Sequence, residues 1–181
     1  MSDVFFEELS NELHNGVNEK GHPFRYITLA TIGANSIARL CTVVLREVSK
    51  NLSLTIYTDS RSKKIGNLKL NDRISVLMYH PDKLLQLKIE GVAKIVDDTK
   101  RLDSRWKNIQ SNSKRDYITS DSPSSEISNP NEVEYLEDEH FFAMIDINPK
   151  KIEYLKLKRT NHIRVAFEKE SSGWKSTFLI P

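Results

Sequence analysis

Two arginines bracket a short apolar run in the first third of the chain, Arg39-Leu-Cys-Thr-Val-Val-Leu-Arg46. A guanidinium group presents a planar pair of donors that fits a phosphate or a carboxylate. Arg46 stands at the end of this run, where its side chain can reach out of a sheet. A solvated strand terminus explains the same pattern, and from spacing alone that interpretation is favoured.

A second anion-binding pattern follows in Tyr57-Thr-Asp-Ser-Arg-Ser-Lys-Lys64, which comes directly after a strand-like run. Hydroxyl groups, lysines and free amide groups at the start of a helix can form a phosphate-binding nest. An ordinary Asp or Ser helix cap with surface lysines has the same composition, so spacing does not separate the two interpretations.

A third pattern lies late in the chain, at Thr160, His162 and Arg164. Residues two apart in a strand point to the same face, so these side chains are expected to project together. A histidine beside an arginine can stabilise an anion or an electron-rich ring. A polar outer face of a sheet explains the pattern equally well.

The elements that position these residues begin with an amphipathic helix over 1–17, in which Phe5, Phe6, Leu9 and Leu13 fall at helical spacing. Three β-branched or alternating runs then predict strands, joined by short turns. Their order favours an antiparallel meander over 26–32, 39–46 and 52–58.

The rest of the chain predicts more strands and peripheral helices. Gly91 interrupts one long strand and predicts a bulge there, and the polar loop 119–134 is predicted to be a mobile surface segment. The remaining elements are a short helix over 65–70, strands over 73–79, 84–96, 141–148, 152–167 and 174–181, and a helix over 99–117. Six to eight strands with peripheral helices indicate one small antiparallel barrel or sandwich domain over 1–181.

Composition excludes several classes of function. The 27 Lys and Arg residues against 25 Asp and Glu residues give a net charge of +2, which argues against a nucleic-acid partner. The glycines are scattered, the histidines show no helical pairing, and Cys41, the only cysteine, is expected to be a small buried hydrophobe. We therefore expect no nucleotide-triphosphate loop and no metal site. No apolar run reaches ~18 residues and no secretory signal is visible, so we expect a cytoplasmic protein without a membrane partner.

Four motifs in register resemble the FMN-binding split barrel of the pyridoxamine 5′-phosphate oxidase family, and most of all its short, oxidase-related branch. The resemblance covers about Pro23 to Pro181. The motifs are Thr42-Val-Val-Leu-Arg46, Tyr57-Thr-Asp-x-x-Ser-Lys-Lys64, Leu85-Gln-Leu-Lys-Ile-Glu-Gly91 and Trp174-x-x-x-x-Leu-x-Pro181. The resemblance implies a mainly β fold, a six-stranded antiparallel barrel with peripheral α-helices.

The same resemblance implies FMN bound non-covalently at a homodimer interface. It implies that Cys41, Thr42, Val43, Val44 and Arg46, on one strand, line the isoalloxazine and the phosphate. It also implies that Tyr57 and Thr58 lie beside the ring and that Ser62, Lys63 and Lys64, in the loop after the next strand, bind the phosphate. Gln86 is implied to bind the pyrimidine end of the flavin, and Arg164 to come from the second subunit.

The chain also departs from the family pattern. Relatives commonly carry arginine at the position of Cys41, and Arg39, two residues earlier on the same strand face, is the candidate replacement. The positions at which the family binds the phosphate of its substrate are occupied here by Trp106, Gln110 and Lys114. Thr160 replaces an arginine beside His162. A family tryptophan near the flavin aligns to Leu155. Two lost arginines remove charge-assisted bonds worth roughly 1.5–3 kcal/mol each, so FMN binding is predicted and vitamin B6 phosphate oxidation is disfavoured.

The sequence therefore predicts a homodimeric FMN-dependent oxidoreductase with an unknown small-molecule substrate. His162 and Arg164 are the candidate catalytic groups, since either can stabilise reduced flavin. A true pyridoxine or pyridoxamine 5′-phosphate oxidase with a rearranged phosphate pocket, using Lys114 and Arg115, is one alternative. A flavin- or haem-binding carrier or sensor without turnover is the other.

Overall fold

The computed structural model describes residues 2–181. Over these residues the chain forms eight β-strands, four α-helices and short 3₁₀ turns. The strands are β1 (Tyr26–Ile32), β2 (Ala38–Val48), β3 (Leu54–Asp59), β4 (Arg73–His80), β5 (Leu85–Ile95), β6 (Phe142–Lys156), β7 (Ile163–Glu170) and β8 (Gly173–Leu179). The helices are α1 (Asp3–Asn18), α2 (Lys63–Leu70), α3 (Thr99–Asn108) and α4 (Ser111–Lys114).

Six strands close into an antiparallel barrel in the order β3-β2-β1-β4-β5-β6, and a pairing between β3 and β6 completes the circle. Strands β7 and β8 continue the sheet beyond β6. The predicted meander of β1, β2 and β3 is confirmed, as is the mainly β barrel with peripheral helices. Closure leaves few free edges among the barrel strands, which favours a single well-defined register.

The barrel interior is apolar, and α1 covers one end of it. Leu9 and Leu13, one helical turn apart, are fully buried against the barrel. On the same helix Glu8 accepts a hydrogen bond of 2.7 Å from the Tyr154 hydroxyl. Helix α1 is therefore held both by apolar burial and by a polar contact with β6.

The predicted bulge at Gly91 is confirmed, because the β5–β6 register shifts between Glu90 and Gly91. A Cβ atom at Gly91 would lie 2.3 Å from the carbonyl oxygen of Asn148, so the close approach of β6 requires glycine. Pro149 pairs with Gly91 at this irregularity, where a missing N–H is tolerated. The predicted break between strands 141–148 and 152–167 is therefore wrong, and β6 runs continuously through Pro149.

Two further boundaries differ from the sequence prediction. The strand expected over 152–167 is divided, because β6 ends at Lys156 and β7 begins at Ile163. The helix expected over 99–117 ends at Asn108, because Ile109 and Gln110 are extended before α4. Ile109 instead packs against the small apolar cluster around Tyr117 and Phe142. No helix within residues 2–181 combines the length and apolar character needed to span a membrane.

Candidate functional site

Three adjoining cavities form a trough beside β2, β3 and the start of α2. The lysine cavity, of about 790 Å³, shares Ser62, Lys64 and Pro123 with a central cavity of about 260 Å³. The central cavity in turn shares Arg46 and Tyr57 with the arginine cavity, of about 350 Å³. The three cavities therefore adjoin one another in series, with cations at both ends.

Arg39, Lys63 and Lys64 give the lysine cavity its positive charge. No acidic side chain lines it, and within residues 2–181 neither Arg39 nor Lys63 has an ion-pair partner. Lys64 donates a hydrogen bond of 3.0 Å to the Thr58 hydroxyl. Uncompensated cations beside the first turn of α2 suit a phosphate group, which accepts hydrogen bonds from both side chains and amides.

The β1–β2 hairpin and the start of α2 bring these cations together. Cys41 pairs with Leu29 across the hairpin and Arg39 pairs with Thr31, so both side chains share a face. Cys41 is half-buried, because it packs against the barrel core on one side and lines the lysine cavity on the other. The expected small core hydrophobe is therefore only partly buried.

The central cavity has mixed polar and apolar walls, to which Asp59 and Asp116 also contribute. Thr42, Val44 and Arg46 line it from β2, while Tyr57 and Thr58 line it from β3. The outward faces of two paired strands can accommodate one side of a planar aromatic ring. Lys64 and Ser62 lie at the end that joins the lysine cavity, so a ring here would carry its phosphate towards the cations.

Tyr57 joins the central cavity to the arginine cavity. Its hydroxyl donates a hydrogen bond of 3.2 Å to Glu47, and its ring packs edge-on against Phe142 with centroids 5.1 Å apart. Burial and the neighbouring Glu47 carboxylate raise the pKa of Tyr57 to about 12. Tyr57 therefore stays a neutral donor over the physiological range of pH.

The arginine cavity places three guanidinium groups around one space, from Arg25, Arg46 and Arg105. The buried Nε atom of Arg46 has no hydrogen-bond partner. Arg105 Nε lies 2.7 Å from a Glu47 oxygen, an ion pair whose geometry is not that of a hydrogen bond. Glu47 also forms an ion pair with Arg101 at 3.6 Å. No acidic side chain of the described residues lines the cavity itself, so its three arginines can hold a small anion.

The structure brings two arginines to this site that the sequence analysis did not predict there. Arg25, in the 3₁₀ turn Pro23–Arg25, and Arg105, in α3, were not expected at the site. Gln110 lines the arginine cavity, but Lys114 stacks on Trp106 at 4.8 Å and Arg115 stacks on the Tyr135 ring at 4.2 Å. The suggestion that Lys114 and Arg115 rebuild this pocket is therefore wrong. No pattern in the sequence links a turn arginine to a helix arginine.

Gln86 and Arg164 lie away from the trough, on the outer face of the sheet. Gln86 pairs with Leu155, which pairs with Arg164, so the three form one row across β5, β6 and β7. By way of the β3–β6 pairing, Arg164 on β7 lies three strand spacings from β2, a path of about 14 Å at ~4.8 Å per strand. Neither residue lines the three cavities.

Arg164 is held by Glu153, to which it donates hydrogen bonds of 3.1 Å from Nε and 2.6 Å from Nη2. Burial acts to raise the pKa of Glu153, but Arg164 and Lys88 outweigh it and the pKa is lowered. Thr160 and His162 precede β7, so the expected common strand face with Arg164 is wrong. His162 is exposed, and its Nδ1 accepts the Lys158 N–H at 3.0 Å.

A separate buried cluster brings together Glu12, His22 and His80. Nδ1 of His22 accepts the Phe24 N–H at 3.1 Å, and Nδ1 of His80 accepts the Lys83 N–H at 3.4 Å. Each ring therefore carries its hydrogen on Nε2, which faces Glu12 at 3.2 Å and 3.9 Å. A metal ligand requires an unprotonated nitrogen and usually donates its other N–H, so this arrangement is that of a hydrogen-bonded carboxylate.

The residues of the trough fit the group that the sequence resemblance implies. FMN needs cations and amides for its phosphate and a flat wall for its ring. The lysine cavity supplies Arg39, Lys63 and Lys64, and the central cavity supplies the outward face of β2 together with Tyr57.

Comparison with known proteins agrees with this fit. Residues 4–97 match the family model described as pyridoxamine 5′-phosphate oxidase, FMN-binding domain. The chain is 30% identical over 161 residues to pyridoxine/pyridoxamine 5′-phosphate oxidase 2 of Arabidopsis thaliana, a match that covers 82% of this chain and 80% of the relative.

Two solved structures share the fold at lower identity. A pyridoxamine 5′-phosphate oxidase-related FMN-binding protein from Nostoc punctiforme superposes with a TM-score of 0.78 at 19% identity, over 97% of this chain and 96% of that one. PhzG from Burkholderia lata, solved with tetrahydrophenazine-1-carboxylic acid, also gives 0.78 at 19% identity, over 99% and 91%. The matched family model and the Arabidopsis relative together place the chain in the pyridoxamine 5′-phosphate oxidase family, with FMN as its cofactor.

Proposed function

We propose that the protein is a homodimeric, cytoplasmic FMN-dependent oxidoreductase that acts on a small anionic molecule. The observation that carries this proposal is the order of the three adjoining cavities. Cations that suit a flavin phosphate lie at one end, the β2 face with Tyr57 lies in the middle, and the guanidinium groups of Arg25, Arg46 and Arg105 lie at the other end.

The chain's own residues would bind and orient the reactants. Arg39, Lys63 and Lys64 would hold the flavin phosphate, and the β2 face with Tyr57 would support the ring. Bound FMN supplies two-electron redox chemistry, which the side chains of the protein do not offer. Arg25, Arg46 and Arg105 would hold the anionic end of the substrate so that its remaining atoms lie over the ring, which is catalysis by positioning.

A second copy of the chain would complete the site. Tyr26, Leu40, Leu77 and Tyr79 project from the outer sheet face that also carries Gln86, and the first two are 62% and 69% exposed. Exposed apolar side chains gathered on one sheet face are typical of a subunit interface. Pairing of two copies through it would carry Gln86 and Arg164 of one copy towards the trough of the other.

Flavin content tests the first part of the proposal. The purified, dialysed protein should be yellow, and acid should release FMN rather than FAD. Apoprotein titrated with FMN should quench the fluorescence of the free flavin with a stoichiometry of one per chain. A colourless protein that leaves the FMN spectrum unchanged would overturn the proposal.

The arginine cavity and the Arabidopsis relative favour one specific substrate as the second candidate, pyridoxine or pyridoxamine 5′-phosphate. Release of hydrogen peroxide should be measured with each phosphate ester and with its unphosphorylated form as the control. Turnover of the ester alone, lost in Arg25→Gln and in Arg105→Gln, supports this candidate. A rate equal to that of free FMN rejects it.

A further inference from the structure

Arg61 lies in the cation-rich loop between β3 and α2, yet its side chain turns away from the lysine cavity. Its Nε and Nη2 contact the two carboxylate oxygens of Asp59 at 3.1 Å and 2.8 Å. The guanidinium also stacks on the Phe141 ring, 3.3 Å from the centroid. Because Asp59 is buried and neutralises it, Arg61 is not available as a phosphate ligand.

The same guanidinium also contacts the segment 119–124. Nη1 donates to the carbonyl oxygen of Ser120 at 2.9 Å, and Nη2 donates to the carbonyl oxygen of Thr119 at 2.9 Å. A planar fork can bridge a carboxylate and two successive carbonyls at once, which a lysine ammonium cannot do with the same geometry. Arg61 therefore joins the β3–α2 loop to the start of the polar segment.

The segment 119–124 forms a wall of the trough. Pro123 lines both the lysine cavity and the central cavity, and Ser124 lines the lysine cavity. The base of the segment is held on its other side by the bridge between Thr119 and Tyr135 and by the hydrogen bond from Ser120 N–H to the Glu134 carbonyl. Arg61 is the side chain that fixes this base to the loop carrying Lys63 and Lys64.

We propose that Arg61 is a positioning residue for the flavin, which holds the 119–124 wall against the phosphate-binding loop without touching the phosphate. The inference rests on the proposed FMN site. It assigns the loop arginine a function different from that of the two lysines that follow it. Arg61→Lys should loosen a wall of the trough while keeping a cation beside Asp59, which lines the central cavity, so the charge that attracts FMN stays in place.

A phosphate ligand and a residue that holds the wall should affect the kinetics of FMN binding differently. A phosphate ligand contributes to electrostatic attraction, so its loss slows association and weakens the dependence of affinity on salt. A wall contributes to retention, so its loss speeds dissociation and leaves the salt dependence unchanged. Arg61→Ala and Arg61→Lys should each raise the FMN dissociation rate about tenfold. In Arg61→Lys, which keeps a cation beside Asp59, the association rate should stay within about twofold of the unsubstituted protein.

The experiment measures FMN association and dissociation by stopped-flow fluorescence at several salt concentrations. Lys63→Ala is the comparison for a phosphate ligand, and Arg115→Ala is the matched control. Arg115 contacts Tyr135 near the same segment but lines none of the three cavities. Faster dissociation in both Arg61 variants, normal salt dependence and normal kinetics in Arg115→Ala support the inference.

Arg61→Lys keeps a cation beside the buried Asp59, so it serves if Arg61→Ala does not fold. Pro123→Gly provides a second measurement, because it alters the 119–124 wall with Arg61 intact. If Arg61 acts through this wall, adding Arg61→Lys to Pro123→Gly should change the FMN dissociation rate little. Unchanged dissociation in the Arg61 variants, or a salt dependence reduced as in Lys63→Ala, overturns the inference. Absence of FMN binding by the unsubstituted protein would instead overturn the proposed function.

Discussion

Arg39 and Cys41 point to the same face of β2 and line the same cavity as Lys63 and Lys64. The Arg39 side chain lies over the turn of the β1–β2 hairpin, where its Nε would be 3.3 Å from a Cβ atom at Gly33. A strand repeats every two residues, so a guanidinium moved by two positions stays on the face that carries the cavity. Arg39 is therefore placed on the strand face and at the cavity where the family resemblance leads us to expect an arginine in place of Cys41.

Replacing Arg39 by Gln should weaken FMN binding by about 10- to 150-fold, the equivalent of one charge-assisted hydrogen bond of ~1.5–3 kcal/mol. Fluorescence titration of the apoprotein measures the effect. Arg73→Gln is the control, since Arg73 is exposed on β4 and lines none of the cavities. Adding Cys41→Arg to Arg39→Gln should restore much of the affinity. Equal affinities for the unsubstituted protein and Arg39→Gln would show that Arg39 does not bind the phosphate.

Tyr57 should titrate well above the ordinary pKa of a tyrosine side chain. Its pKa is raised from 10.0 to about 12 in the folded protein by burial and by Glu47, so the hydroxyl stays protonated in mild base. The stability this difference provides is fully present below pH 10 and is lost as the pH rises towards 12. In a pH titration followed by tyrosinate absorbance, Tyr57→Phe should lack one high-pH component that the unsubstituted protein shows. A component missing near pH 10 instead would contradict the raised pKa.

Glu8 should contribute stability that disappears in acid. Burial acts to raise its pKa, but hydrogen bonds from Lys156 and Tyr154 outweigh burial and lower it. A carboxyl with a lowered folded pKa stabilises the fold above its unfolded value and loses that contribution as the pH falls through the folded value. At neutral pH, Glu8→Gln should have a lower melting temperature than the unsubstituted protein. The corresponding loss in the free energy of unfolding should be about 1 kcal/mol or less. The gap should close in acid, and Glu7→Gln, on the exposed side of α1, should show neither effect.

Two glycine substitutions should change stability in opposite directions. Gly91→Ala would place a Cβ atom 2.3 Å from the Asn148 carbonyl, which forces β5 and β6 apart at the bulge. Gly66 lies inside α2 with no atom within 4 Å of such a Cβ, so Gly66→Ala should stabilise the protein by about 0.5–1 kcal/mol. Urea denaturation of both variants checks the pair. A stable Gly91→Ala variant would mean that β6 can move away at low cost.

Leu77→Glu should convert a dimer into monomers that bind FMN weakly. Leu77 is 43% exposed on the outer sheet face, and a buried charge at an interface strongly disfavours association. Analytical ultracentrifugation with FMN titration measures both properties. Leu70→Glu is the control, because Leu70 is 71% exposed at the end of α2 and lies outside that face. Dimers that persist in Leu77→Glu would place the interface elsewhere.

Local patterns in the sequence determined the type and approximate position of most elements. Alternation in β1, helical spacing of Leu9 and Leu13, and the glycine within β5 each follow from interactions between near neighbours in the chain. The cation pair at Lys63 and Lys64 was also visible, because strand, loop and helix start follow one another in sequence. The order of four motifs then indicated the family and its cofactor.

Only the tertiary structure decided what lies across the trough from these motifs. The continuation of β6 through Pro149 depends on the opposing Gly91, and the end of α3 depends on packing of Ile109 against residues distant in sequence. Arg25 and Arg105 meet at the arginine cavity although a turn and a helix far apart in the chain carry them. Arg61, which looks like another phosphate ligand in sequence, is turned away by Asp59 and Phe141. Short-range patterns determine which residues are available, whereas long-range packing decides which of them share a site.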